Sequence, residues 1–273
     1  MILKFAFDHL VFFSNKPEDA LLPLKNKGIH AVNGGRHENW GTYNSLAYFG
    51  LSYIEFLGVE VLGIAEQQDD NRLVAEIVEK LVSKKQEGPA KIAIRTNNLE
   101  ELAAKFKEEG FTVYGPLPGE RVRADGQVIR WSLLFPESKT SELSLPFFIQ
   151  WEKSDEERLA EFEAQGLVGM HTAGNPTFTN AAFVVRDLEK TLQEWGRLVN
   201  LPVSAEFTDL ALNARCKTLK LAGTELLFCT PIGEGIAQKV LQEKGETPFM
   251  VTLNGTKQEQ MYEMQDAYWR FED

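Results

Sequence analysis

The segment FAFDHLVFF, at residues 5–13, is an apolar run of the kind that forms a buried β-strand. Apolar residues at helical spacing follow at 17–28, and Gly28 ends the predicted helix. Strand-like runs come next, at 29–32, 42–49 and 53–59. The first 59 residues are therefore predicted to have the element order β-α-β-β-β.

The same order returns twice further along the chain, and a shorter copy follows. The second copy has a strand at 91–96, a helix at 99–110 and strands at 111–114, 128–135 and 147–151. The third copy spans 180–229, and the fourth has a helix at 235–244, a strand at 249–253 and a closing helix at 257–271. One βαβββ unit leaves a face of its curved sheet uncovered, so two units are expected to pair around a cavity. The sequence thus predicts an α+β fold of repeated βαβββ modules that form paired curved mixed sheets.

Domain boundaries are predicted from the same repeats. Residues 1–153 would form a domain of two complete modules, and 176–273 would form a second, less complete half. The segment 154–175 between them is charged and then Gly-rich, which is typical of a linker. An inserted helix is expected at 69–85, between the first two modules.

Composition and charge exclude several classes of protein. Hydrophobic residues make up 43% of the chain and charged residues 25%, which argues against disorder. A formal net charge of -11 argues against a nucleic acid partner and against an anionic membrane, since both attract basic surfaces. The two cysteines are expected to be buried thiols in a reducing compartment, and charged residues come too early for a secretory signal. We therefore expect a cytoplasmic protein.

Two polar residues stand in the middle of apolar strands of the first module. His9 lies in Asp8-His9-Leu10-Val11, and strand alternation would place Asp8 and His9 on opposite faces, with Phe7, His9 and Val11 on one. Glu55 lies between apolar neighbours in the module's last strand. Each has a simpler interpretation, a satisfied core histidine and an exposed edge-strand carboxylate. Together they suit a divalent metal, or a general base with its partner.

A dense polar cluster lies between these two strands. Gly34 and Gly35 are expected to form a tight turn with positive φ, and His37, Thr42 and Asn44 follow. The cluster could line the mouth of a pocket and donate to an anionic or carbonyl oxygen. The alternative is a hairpin turn with polar side chains, and composition alone slightly favours this alternative.

The second module carries its own candidates. Arg130 lies mid-strand, where an arginine is either an exposed edge cation or a bidentate carboxylate binder. Gln150 and Trp151 lie on the strand that corresponds to the strand of Glu55. Neither a phosphate-binding glycine loop nor a GxSxG nucleophile motif is present in the sequence.

These motifs together resemble the glyoxalase-like domain family of the vicinal-oxygen-chelate (glyoxalase/bleomycin resistance/dioxygenase) superfamily. The resemblance is carried by DHLV at 8–11, GGRHENWGTYN at 34–44, YIEFL at 53–57, RW at 130–131 and PFFIQW at 146–151. It implies paired βαβββ modules around a site that usually holds a divalent metal. The matching ligand positions would be His9, Glu55, Lys91 and Gln150. An ammonium cannot ligate a metal and an amide is a weak ligand, so the set is at best half intact, with His37 as a further donor.

The resemblance implies a protein that binds a small polar or anionic molecule in an N-terminal cavity. As a metal-assisted isomerase, lyase or dioxygenase, it would use Glu55 as base or ligand and His9 as ligand or hydrogen-bond partner, with one divalent ion (Zn, Ni, Fe or Mn). Substrate contacts would come from His37, Thr42, Asn44, Arg130, Gln150 and Trp151.

Two alternatives stay open. One is a metal-free ligand-binding or resistance-type protein that sequesters its ligand in an aromatic cavity lined by Trp40, Trp131 and Trp151. The other is a structural dimerisation module, and a homodimer is compatible with all three interpretations.

Overall fold

A computed structural model describes residues 3–122 and 128–273, and in it two curled mixed β-sheets follow one another along the chain. The first sheet has the order β2-β3-β4-β1-β5-β8-β7-β6. Its strands are β1 (Phe5–Phe13), β2 (Val32–His37), β3 (Thr42–Phe49), β4 (Ser52–Val59), β5 (Gly88–Thr96), β6 (Thr112–Val122), β7 (Val128–Glu137) and β8 (Phe147–Trp151). Two β-α-β-β-β copies meet at its centre, where β1 pairs antiparallel with β5.

The second sheet has the order β10-β11-β12-β9-β13-β15-β14. Its strands are β9 (Gly174–Val184), β10 (Phe207–Asp209), β11 (Ala214–Leu219), β12 (Glu225–Pro231), β13 (Thr247–Thr256), β14 (Gln260–Met264) and β15 (Ala267–Phe271). The predicted α+β fold of paired curved mixed sheets is confirmed.

Seven α-helices lie among these strands in the described residues. They are α1 (Leu21–Asn26), α2 (Leu62–Ala65), α3 (Arg72–Ile77), α4 (Leu99–Glu108), α5 (Asp155–Ala164), α6 (Leu188–Val199) and α7 (Ile236–Lys244). Local sequence explains where they begin: the Asn98 side chain accepts a hydrogen bond from Glu101 N at the start of α4, and Ser154 and Glu157 form a capping box on α5. None of these helices is long and apolar enough to cross a membrane.

The largest hydrophobic core joins one face of each sheet, which we call the outer face. Phe7 packs edge-to-face on Phe178 with ring centroids 5.2 Å apart, and Phe12 lies 5.9 Å from Trp269. Helices α1, α4 and α6 contribute apolar side chains to the same core. The opposite, inner face of the first sheet is covered in part by α3, through buried residues such as Leu73 and Ile77. On the inner face of the second sheet, α7 packs Ala237, Val240 and Leu241.

A β-bulge at Asp8 changes the expected alternation of β1. Phe7 pairs with Ile94 and His9 with Ala93, so Asp8 is the extra residue on its strand. Phe7 therefore packs in the outer core, whereas His9 and Val11 face the inner side. The expectations that Phe7 shares a face with His9, and that Asp8 lies opposite it, are both wrong. The bulge puts two adjacent polar side chains on the inner side of one strand.

Two local predictions are also corrected. Gly34 and Gly35 lie within strand β2 and have no positive φ, so they do not form the expected turn. The chain at 257–271 forms the hairpin of β14 and β15 instead of a closing helix. The alternating burial of Ala267, Trp269 and Phe271 has period two, and the resulting apolar face joins the outer core.

Candidate functional site

The inner face of the first sheet encloses a cavity of about 100 Å³. That volume is below the roughly 300–1,000 Å³ that is common for drug-sized ligands, so it suits a small molecule. Aromatic side chains form much of its wall, namely Trp40, Tyr48, Tyr53, Trp131, Phe147, Trp151 and Phe162. Its polar lining includes His9, His37, Thr42, Asn44, Glu55, Arg121 and Arg158. The structure therefore brings seven predicted site residues to one cavity, namely His9, His37, Thr42, Asn44, Glu55, Trp151 and, at the rim, Arg130.

The floor of the cavity is a chain of charged groups. His9 Nδ1 is 2.8 Å from Asp8 Oδ1, and His9 Nε2 is 3.3 Å from Glu55 Oε2. The imidazole also stacks on the Tyr53 ring, with centroids 4.5 Å apart. Adjacent parallel strands β1 and β4 hold His9 and Glu55 side by side. The imidazole is thus fixed between two carboxylates.

Asn44 on β3 binds the other carboxylate oxygen of Glu55. Its Nδ2 donates to Glu55 Oε1 at 2.5 Å, and its Oδ1 accepts from Gly35 N at 2.9 Å. A Cβ at Gly34 would lie 1.9 Å from Asn44 Oδ1. A side chain cannot fit there, so the Gly-Gly pair serves the close approach of β2 to Asn44 instead of a turn.

The hydrogen-bonded side chains of Asp8, His9 and Glu55 have a definite charge state. Burial alone would lower the pKa of His9, but hydrogen bonds to Asp8 and Glu55 outweigh it and raise that pKa to about 9. Burial would raise the pKa of Glu55, but the hydrogen bond and charge of His9 hold it at about 2. The pKa of Asp8 is also below its ordinary value, because Arg158 and His9 offset its burial. At neutral pH the floor is an imidazolium between two carboxylates.

A second imidazole in the wall is neutral. Burial lowers the pKa of His37 to about 4. Its Nδ1 lies 3.0 Å from Thr42 Oγ1, and its ring packs against Trp40 and Trp131. The two histidines of the cavity thus differ in charge at neutral pH.

A titration of the four histidines followed by NMR tests this assignment. We expect His9 to titrate near pH 9 and His37 near pH 4. Replacing Glu55 by Gln should lower the pKa of His9, because one of its two anionic partners is removed. Glu142→Gln, which changes an exposed carboxylate paired with Arg186, is the matched control and should leave His9 unchanged.

The same shift predicts how stability depends on pH. The folded-state pKa of His9 is above 6.5, so its stabilising contribution is present below pH 6.5 and is lost as pH rises through about 9. A pKa of His9 at or below 6.5 in the wild-type protein would contradict the assignment of His9 as an imidazolium between Asp8 and Glu55.

Two sequence candidates, Gln150 and Lys91, lie outside the cavity, and a third, Arg130, lies at its rim. Gln150 faces the outer side of β8, where its Oε1 accepts from Leu99 N at 2.9 Å, so its expected place in the cavity is corrected. Alternation along β8 puts Ile149 and Trp151 inward instead. Arg130 is at the rim, 55% exposed, beside Glu120 and Glu152. Lys91 donates hydrogen bonds to Glu76 and Ser144 at 3.0 and 2.7 Å, so this matching ligand position does not contribute to the cavity.

Other residues of the site were missed in the sequence. Asp8 was assigned to the opposite face, and the bulge that turns it inward has no clear sequence signal. Arg158 lies on α5, in the segment interpreted as a linker, yet its Nη1 is 3.2 Å from Asp8 Oδ2. Trp151 Nε1 donates to the same oxygen at 2.9 Å. A buried arginine in a charged helix looks like a surface residue until the helix is placed.

A divalent metal is implied by the resemblance, and the donors of the cavity do not fit one. Catalytic metal sites generally use three protein ligands and keep one position open. Among residues 3–122 and 128–273, no three His, Cys, Asp or Glu side chains are grouped to hold a metal ion. His9 Nε2 and Glu55 Oε2 face each other as an ion pair, and the other two matching positions, Lys91 and Gln150, point away.

Comparisons with known proteins agree with the fold. A protein of unassigned function from Staphylococcus aureus is 22% identical, with a TM-score of 0.78 over 99% of both chains. A 4-hydroxymandelate synthase mutant from Streptomyces coelicolor is 10% identical, with a TM-score of 0.58 over 93% of this chain and 71% of that one. At these identities the likeness shows the fold alone. No curated protein sequence matches the chain.

The sequence profile of the glyoxalase-like domain matches residues 7–199, which include both β-α-β-β-β copies of the first sheet and the candidate site. The chain therefore belongs to the glyoxalase-like domain family, as the motifs around His9, His37 and Glu55 indicated.

Proposed function

We propose that this chain binds a small polar or anionic molecule in the cavity of its first sheet, and that its own side chains contact that molecule directly. The observation that carries the proposal is the combination of an aromatic wall with a pre-formed charged floor, Asp8–His9–Glu55. Pockets of this kind bind through apolar contact and use a few fixed polar groups for orientation. The floor is already hydrogen-bonded, so little reorganisation would be needed on binding.

Replacing Glu55 by Gln tests the role of the floor. At pH 6, where His9 keeps its proton, the variant should bind benzoate about tenfold more tightly, because the repulsion between the Glu55 carboxylate and the benzoate carboxylate is removed. Binding of the neutral isostere benzamide should change less than twofold. Trp40, Trp131 and Trp151 line the cavity, so their fluorescence reports binding.

Glu142→Gln again serves as the matched control, since Glu142 pairs with Arg186 at the surface. Saturable benzoate binding that is equal in wild type and both variants would place the ligand elsewhere. Absence of saturable binding of either probe would count against the proposed function.

A second candidate function is proton transfer on the bound molecule, as in an isomerase or lyase. The observation that favours it is an imidazole oriented by one carboxylate and facing another, an arrangement that suits acid–base chemistry. The charge state argues against it at neutral pH, because pKa values of about 9 for His9 and about 2 for Glu55 are far from 7. In an enzyme, Glu55→Gln would abolish turnover, whereas in a binding protein it would change affinity.

A further inference from the structure

Arg158 is the least expected group in the wall of the cavity. It is 4% exposed, and its guanidinium carbon lies 4.1 Å from the ring centroid of Trp151 and 5.7 Å from that of Phe162. Its Nη1 is bonded to Asp8 Oδ2 at 3.2 Å. Its Nη2 is buried and has no hydrogen-bond partner among the described residues.

An unpaired nitrogen on a buried guanidinium is costly and calls for an acceptor. Buried polar groups in folded proteins are nearly always hydrogen-bonded, and exceptions need an explanation. Asp8 already accepts from His9 and Trp151 as well as from Arg158 Nη1, so its lone pairs are largely used. A ligand bound in the cavity would supply the missing acceptor for Arg158 Nη2.

The charge around Arg158 favours an anion. Arg121 and Arg158 both line the cavity, as does Tyr48, and although burial raises the pKa of the Tyr48 hydroxyl, the charges of both arginines act to lower it. Arg121 Nη1 also donates a hydrogen bond to Asn44 Oδ1 at 3.4 Å. The chain as a whole carries a formal charge of -11, and these two guanidinium groups offset the carboxylates of Glu55, Glu152 and Glu161 that also line the cavity.

The shape of the wall favours a flat molecule. The rings of Trp131 and Trp151 lie 5.5 Å apart, and Tyr48 and Tyr53 lie 5.2 Å apart on the wall. Aromatic faces of this kind bind planar groups, while a guanidinium fork matches the two oxygens of a carboxylate.

We propose that the ligand is a small planar carboxylate and that Arg158, on helix α5, anchors its carboxylate through Nη2. The inference rests on the proposed function and names the ligand class for the same cavity. Helix α5, which follows the last strand of the first sheet, thereby completes the site. Arg130 is not the anchor, because it is 55% exposed and flanked by Glu120 and Glu152.

The test compares benzoate with benzamide on wild type, Arg158→Lys and the control Arg186→Gln, which changes an exposed arginine paired with Glu142 at the surface. Lysine keeps a cation beside Asp8 but lacks the second nitrogen of the fork. We expect wild type to prefer benzoate over benzamide at least tenfold. Arg158→Lys should weaken binding of benzoate at least tenfold and leave binding of benzamide within twofold, and Arg186→Gln should change neither.

A measurement on the wild-type protein covers the case in which Arg158→Lys does not fold. With ¹⁵N-labelled arginine, saturating benzoate should shift and slow the exchange of the Arg158 Nη protons, while benzamide should not. No change in those protons at saturating benzoate would overturn the inference.

The outcomes separate the two proposals. If wild type binds both probes equally, or if Arg158→Lys keeps the preference for benzoate, the anchor is wrong while the cavity still binds small molecules. If wild type shows no saturable binding of either probe, both the proposed function and the anchor fail.

Discussion

Replacing Asp8 by Asn is expected to lower the free energy of unfolding by about 3 kcal/mol, because the change breaks a buried ion-pair network from its centre. The Asp8 side chain is fully buried and accepts from His9 Nδ1, Trp151 Nε1 and Arg158 Nη1. An amide keeps one acceptor and loses the charge, so a buried imidazolium and a buried guanidinium are left undercompensated. Urea unfolding at pH 7, followed by circular dichroism, measures the loss.

Asp209→Asn is the matched control. Asp209 also pairs with an arginine, with Arg270 nitrogens 2.6 and 3.1 Å away, but that pair is partly exposed and has no histidine between its charges. We expect a loss of about 1 kcal/mol there. The pKa of Asp8 is lowered in the folded state, so its contribution is present above about pH 4 and is lost as pH falls further. Equal losses in the two variants would contradict a special role for the Asp8 network.

Replacing Gly34 by Ala is expected to cost about 2 kcal/mol and to disorganise the cavity floor. The new Cβ would stand 1.9 Å from Asn44 Oδ1 and 3.0 Å from Asn44 O. Asn44 would have to turn away, and its hydrogen bonds with Gly35 N and Glu55 would be lost. Thermal unfolding measures the cost, and the side-chain amide signal of Asn44 in NMR spectra reports the displacement.

Gly63→Ala provides the comparison. Gly63 lies in helix α2 and has no positive φ, and a Cβ added there would meet no other atom within 4 Å. Alanine there should be neutral or stabilising by up to about 1 kcal/mol. A Gly34→Ala protein as stable as Gly63→Ala, with an unshifted Asn44 amide signal, would show that β2 does not need the glycine for close approach.

Much of the cavity could be predicted because its residues follow strand alternation. Glu55 shares the inner face with Tyr53 and Leu57, as period two requires, and Thr42 and Asn44 share a face of β3. The same rule corrects Gln150: its neighbour Trp151 faces inward, so Gln150 faces outward. An error of one residue in matching two strands moves a side chain to the opposite face of the sheet.

The C-terminal hairpin shows a different cause of error. The segment 257–271 has the polar and apolar mix of an amphipathic helix, yet it forms β14 and β15. Tertiary context decides here, because β15 pairs in parallel with β13 and its Trp269 fills the outer core against Phe12. Local preference is too weak to oppose that burial.

The sequence by itself determined the order of the modules, the family and the residues that alternate onto the inner face of the first sheet, because strand period and turn residues are local properties. Only the tertiary structure decided the charge and the extent of the site. The bulge that turns Asp8 inward depends on how β1 pairs with β5, and the position of Arg158 depends on where α5 packs. Both are long-range contacts, between groups as much as 150 residues apart in the chain.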